Sequence, residues 1–150
     1  MGLIADVGDG PVAVDTALFI YFIEEHEAYL PLVEALFTEI AHSRLAAVTS
    51  AITLLEVLVV PYRAGDENLA RRYEALLTRS RGLTLLDLSQ DQLRAAAQLR
   101  GVRPQIRTPD ALQLVAALAA RCTALVTHDH RMPSLPNLPV LQLSDYLASR

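Results

Sequence analysis

The chain has 150 residues, 52% hydrophobic and 20% charged, enough apolar material for one globular core, and it holds no run of about 18 uncharged apolar residues that could span a membrane. Met1–Asp6 lacks the basic start and apolar stretch of a secretory signal, and the single cysteine, Cys122, excludes an internal disulfide or a zinc knuckle; both fit a reducing cytoplasm. Net charge is −4, from seventeen acids and thirteen basic residues that are all arginine, so chemistry that needs a lysine, such as a Schiff base, a P-loop or a receiver domain, is excluded.

Pro11-Val12-Ala13-Val14-Asp15 follows a Gly8-Asp9-Gly10 turn and reads as a short buried strand. The next stretches, Thr16 to Glu25 and Leu30 to Ala41, read as helices, the second with Leu32, Val33, Leu36, Phe37 and Ile40 at helical spacing. Leu45 to Thr49 is a second strand, and Ser50 is a candidate cap for a helix from Ala51 to about Tyr62. Asp66 begins another helix, to about Ser80. Gly82 to Leu88 is a third strand, and Ser89 caps a helix to about Arg100. Thr108-Pro109-Asp110 opens a helix through Ala120, with Thr108 as its cap and Pro109 at the first helical position. Cys122 to Thr127 is a fourth strand, Val140 to Gln142 a fifth, and Ser144 caps a short terminal helix.

Alternating apolar strands and helices predict one α/β domain over residues 1–150, a short parallel sheet of four to five strands with helices on both faces. In such folds functional groups gather where strands end and the following helices begin. Four acids fall there. Asp15 closes the first strand, and Glu56 lies two turns into the helix after the second. Asp110 sits in the first turn of the helix before the fourth strand, and Asp129 follows that strand.

Singly, Asp15 and Asp110 could be no more than helix-start residues. Glu56 is different: it is the one charge between Ser50 and Tyr62, and its helical neighbours Ile52, Thr53, Val59 and Val60 leave it no solvated face. A carboxylate so placed needs a cation, and no arginine is near it in the local sequence. Four carboxylates on one edge repel unless a divalent ion neutralises them. Oxygen ligands without a Cys or His motif suit Mg²⁺ or Mn²⁺. Such ions on acidic clusters serve phosphoryl transfer or phosphodiester hydrolysis, with a metal-activated water as nucleophile.

Val14-Asp15-Thr16, Leu54-Leu55-Glu56-Val57, Thr108-Pro109-Asp110-Ala111-Leu112 and Leu125-Val126-Thr127-His128-Asp129 resemble, in order and spacing, the four acidic motifs of the PIN-domain nucleases, and in total length the VapC toxins among them. The resemblance covers essentially the whole chain. It implies that Asp15, Glu56, Asp110 and Asp129 hold Mg²⁺ or Mn²⁺ and activate water, with Thr16 and Thr127 as supporting hydroxyls. It further implies endoribonuclease activity, homodimers, and a cognate VapB-like antitoxin. The sequence departs from the family pattern at His128, where a small polar residue is common, and at Met132, where an aromatic is common.

Setting the four acids aside leaves thirteen acids against thirteen arginines, so the negative charge does not exclude an RNA substrate. Arg71, Arg72, Arg79 and Arg81 are candidate phosphate contacts, the alternative being an ordinary solvated helix face. His128 and His130 read as exposed loop residues. Two other functions remain open on sequence: an RNA-processing nuclease of the same kind without an antitoxin, and a catalytically silent scaffold that binds a partner.

Overall fold

The computed structural model describes residues 2–147; Met1 and the end of the predicted terminal helix lie outside the described residues. Five strands form one sheet: β1 (Val12–Val14), β2 (Ala47–Ser50), β3 (Leu83–Leu86), β4 (Ala124–Thr127) and β5 (Val140–Gln142). Their order is β3-β2-β1-β4-β5 and every pairing is parallel. Among the described residues the helices are α1 (Leu3–Val7), α2 (Thr16–Ile23), α3 (Leu30–Ala41), α4 (Ile52–Arg63), α5 (Glu67–Arg79), α6 (Gln90–Val102) and α7 (Thr108–Ala119), and a 3-10 turn covers Leu143–Tyr146. None is long and apolar enough to cross a membrane.

β1, β2 and β4 are buried along their whole length, as strands of a parallel sheet covered on both faces must be. Their alternation sorts side chains into two cores. Val12, Val14, Ala47 and Val126 pack with Phe19, Leu36, Val57 and Tyr73 beneath α1 to α5. Ala13, Val48 and Leu125 pack with Ala96, Leu112 and Val115 beneath α6 and α7. The helices thus divide between the two faces as predicted.

Local starts differ from the sequence reading in four places. The sequence reading has no element at Leu3–Val7, yet a five-residue helix forms there, because Leu3 and Val7, one turn apart, are both buried. Ser50 is the last residue of β2 and its hydroxyl accepts from the N–H of Ile52 at 3.3 Å as a cap does, while its own backbone N–H is held by the Gln113 side chain at 3.2 Å; the helix begins one residue later than expected, at Ile52. Thr108 is the first helical residue, with Arg107 at the cap and Pro109 one place further in; proline is tolerated there because first-turn N–H groups have no helical acceptor. Ser144 falls inside the 3-10 turn, whose cap position is Gln142. Elsewhere capping follows the reading: the Asp66 carboxylate accepts from Leu69 N at 3.1 Å and the Ser89 hydroxyl from Gln92 N at 3.1 Å.

β1 is flanked by β2 on one side and β4 on the other, so the chain order reverses at β1. That reversal opens a crevice at the carboxyl ends of β1 and β4. Asp15 and Asp129 each leave their strand at this point.

Candidate active site

Asp15, Glu56, Asp110 and Asp129 line one cavity of about 260 Å³, with Thr16, Ile20, Arg107 and Pro109 also in its wall. The ends of β1 and β4 are tied by a bond from Asp15 N–H to Val126 O of 3.0 Å. Asp15 caps α2, one carboxylate oxygen accepting from Thr16 N–H at 2.8 Å, while its other oxygen accepts the Thr127 hydroxyl at 2.6 Å. Capping and membership of the cluster therefore coexist in one side chain. Thr16 also donates its hydroxyl to Glu56 Oε1 at 2.6 Å.

Below the acids lies a buried polar layer. Gln113 donates to Thr53 Oγ1 at 2.7 Å, Thr53 and Thr49 share a 2.7 Å bond, and Thr49 donates to Val14 O at 2.7 Å. Because the Thr49 proton is committed to Val14, Thr53 must donate to Thr49. The chain of donors runs one way from α7 through α4 to β1. It fixes the helix carrying Glu56 against the helix carrying Asp110.

Glu56 does not stand on a wholly covered face, which corrects the sequence reading. It is half-buried, and Val59 and Val60, one turn on, are 41% and 64% exposed. α4 turns Thr53, Val57 and Pro61 inward and leaves apolar side chains outside. Asp110 and Asp129 have arginine partners from beyond α4. Arg107 Nε and Nη2 both donate to Asp110 Oδ2, at 3.0 and 2.8 Å, and Nη2 also pairs with Asp129 Oδ2. Arg131 donates its backbone N–H and Nε to Asp129 Oδ1 at 2.9 and 3.1 Å.

The cluster therefore has two unlike halves. Burial raises the pKa of Asp15, outweighing the Thr127 and Thr16 hydrogen bonds, and the nearby Asp110 and Asp129 charges push the same way. Burial likewise raises Glu56, relieved in part by the Thr16 hydroxyl and the Arg107 charge. Burial would raise Asp129 as well, but the Arg131 and Arg107 contacts hold it below the usual carboxylate range. Among the described residues, the Asp110–Asp129 side is thus ion-paired, whereas Asp15 and Glu56 have no ion pair.

The donor set suits a hard divalent cation: oxygen ligands, two of them fixed by hydroxyls and short of positive charge. In the arrangement described, the two halves stand apart around Arg107, and no three of the acids among the described residues are close enough to hold one ion. Arg107 and Arg131 are the functional candidates that the sequence reading missed. Arg107 stands three residues before Asp110 at a helix start, a spacing that places the two side chains together.

The arginines proposed as phosphate contacts lie elsewhere. Arg71 and Arg79 line a larger cavity of about 410 Å³ between α4 and α5, where Glu67 and Glu74 balance them. Arg72 donates to Ile23 O at 3.2 Å, and Arg81 lines an apolar cavity with Phe22 and Phe37. None of the four borders the acidic cavity. His130 is exposed as expected, but His128 is half-buried against Tyr21 and Tyr29, with ring centroids 5.4 and 4.6 Å away. Tyr21 hydroxyl bonds its Nδ1, and burial lowers its pKa.

The sequence profile of the PIN domain matches residues 12–138, from the start of β1 to just before β5. The chain belongs to the PIN-domain family. Solved structures share the fold of this PIN domain at low identity. VapBC2 from Rickettsia felis, bound to a DNA fragment from its promoter, has a TM-score of 0.65 at 22% identity, over 87% of this chain and 97% of that one. A toxin–antitoxin complex from Klebsiella pneumoniae gives 0.62 at 21%, over 85% and 94%. VapC20 from Mycobacterium tuberculosis, a sarcin–ricin loop cleaving toxin, gives 0.61 at 16%, over 76% and 86%. No curated protein matches the sequence significantly.

Proposed function

We propose that this PIN domain is a Mg²⁺- or Mn²⁺-dependent endoribonuclease, the toxin of a toxin–antitoxin pair acting inside the cell. The observation that carries the reading is the convergence of four acids from four separate elements on one cavity, two of them without an ion pair among the described residues and raised in pKa by burial. Asp15, Glu56, Asp110 and Asp129 would hold the ion. When bound, it supplies Lewis acidity, making a water nucleophilic at neutral pH and offsetting charge on the phosphate.

The chain's own residues do the aiming. Thr127 and Thr16 orient Asp15 and Glu56, and the Gln113–Thr53–Thr49 layer holds the helices that carry Glu56 and Asp110 in register. The cavity opens beside Arg107, whose side chain is 41% exposed. A planar fork of that kind binds phosphate oxygens well.

Two observations favour a partnered toxin over a lone processing enzyme. All three solved relatives named above are toxins or VapBC proteins. α4 also exposes Leu55, Val59, Val60 and Tyr62 together, an apolar surface of the sort that a second copy or an antitoxin covers. Controlled expression in a bacterial host tests the reading, with growth and cellular RNA ends followed for wild type and Asp110→Asn. Growth arrest with new RNA ends, both absent in the variant, is the expected outcome. Arrest by both proteins without new ends would instead indicate a scaffold that acts by binding.

A further inference from the structure

We propose that Arg107 is an internal counter-ion that competes with the divalent metal for this cluster and must leave Asp110 and Asp129 before the metal can be held. The inference rests on the metal-dependent reading above. Three observations lead to it. Among the described residues, Arg107 is the one arginine in the wall of the acidic cavity. Its Nη2 reaches both Asp110 and Asp129, spanning the pair as a bridging cation does. With the bridge in place, no three acids among the described residues are close enough to hold one ion.

The chemistry of the two cations differs in a way that lets the metal displace the guanidinium. A guanidinium bridges two carboxylates through hydrogen bonds but brings only one positive charge to them. Asp15 and Glu56 make no hydrogen bond to it, and among the described residues they are served by hydroxyls and a backbone N–H. A divalent ion carries twice the charge and can draw in both halves at once. Its binding must therefore repay the broken Arg107 contacts. Arg107 has a route out, because its side chain is 41% exposed and it stands at the cap of α7, outside the helical repeat. Asp110 by contrast is 5% exposed and cannot follow it. Asp129 keeps its Arg131 contacts when Arg107 departs, so the loop after β4 stays anchored.

The consequence is a site that is stable without metal and selective about when it fills. Removing the guanidinium should tighten metal binding and destabilise the metal-free protein, which is the reverse of what loss of an ordinary site residue does. The test is Mn²⁺ titration of the purified full chain, followed by the electron paramagnetic resonance signal of free Mn²⁺. Wild type, Arg107→Gln, Arg107→Lys and Asp110→Asn are compared, with thermal unfolding in EDTA for each. Arg107→Gln should bind Mn²⁺ about tenfold tighter than wild type and unfold at a lower temperature in EDTA, with the deficit closed by Mn²⁺. Arg107→Lys, which keeps the charge but not the fork, should fold and fall between them. Equal or weaker Mn²⁺ binding by both Arg107 variants, while wild type binds and Asp110→Asn does not, would overturn the inference and leave the metal reading standing. Absence of Mn²⁺ binding by every protein would overturn both.

Discussion

Thr16 aims two carboxylates at once, its backbone N–H on Asp15 and its hydroxyl on Glu56. Asp15 shows what that arrangement costs. Its folded pKa is raised chiefly by burial, so it binds a proton more tightly when folded than when unfolded. Stability from Asp15 is greatest below its unfolded value, near 3.8, and is lost as pH rises through the raised folded value. Glu56 acts in the same sense, whereas Asp129, held low by the arginines, acts in the opposite one. Asp15→Asn keeps the shape and removes the charge. Metal-free Asp15→Asn should therefore melt higher than wild type at neutral pH, by about 2–4 °C for each kcal/mol of relieved burial penalty. Its melting temperature should also depend less on pH above the unfolded value near 3.8. A lower melting temperature for the variant in EDTA would mean that Asp15 is stabilised by its surroundings and does not lack a counter-charge. Asp15, Asp110 and Asp129 were legible in the sequence because each stands where a strand ends or a helix begins, and Glu56 because it is the one charge in an apolar helical stretch. Arg107 was not, because its pairing with Asp129, twenty-two residues away, exists only once α7 and β4 are side by side.

At the scale of elements, α7 does most to organise the site. Asp110 through Ala117 are all buried, and Gln113 links the helix to both β2 and α4. Gln113→Leu would strand the Ser50 N–H and leave Thr53 without its donor. It should cost about 1–3 kcal/mol, read by urea unfolding, and should also slow any cleavage because Glu56 loses its register. A loss of stability with cleavage unchanged would separate the polar layer from the site. The turn into β3 is a second constraint. Gly82 has φ of +82°, and a Cβ there would sit 2.6 Å from Ile40 O. Gly82→Ala should destabilise by about 2–3 kcal/mol, with the midpoint of unfolding as the measurement. Periodicity located these elements well, since their apolar spacing is intrinsic to the chain. The cap position of α7 was misplaced because Arg107 is held there by a contact distant in sequence, its bridge to Asp129.

For the molecule as a whole, the reversal of strand order at β1 determines where chemistry can occur. It brings the ends of β1 and β4 together and leaves α4 and α7 to close the crevice from either side. The fold class followed from alternation of short apolar runs with helical patterns, and both sheet faces are covered as that alternation requires. What alternation could not reveal is which apolar side chains remain outside, because periodicity ranks faces without saying which have neighbours. α4 is the case in point, with Leu55 at 58% and Tyr62 at 59% exposed. If that face is covered by a second copy, Val60→Glu should shift the chain from dimer to monomer in light scattering without altering its melting profile in dilute solution. A wild-type chain that is monomeric at tens of micromolar would remove the homodimer from the proposal.

The acidic cavity is proposed to cleave RNA with the help of a divalent ion. Purified wild type and Asp15→Asn, both shown to be folded, should be incubated with structured and unstructured RNAs in Mg²⁺, in Mn²⁺ and in EDTA. Wild type is expected to cut at defined positions with either ion, to stop in EDTA, and to exceed the variant by about a hundredfold or more. Cleavage that persists in EDTA, or that survives Asp15→Asn undiminished, would contradict the claim.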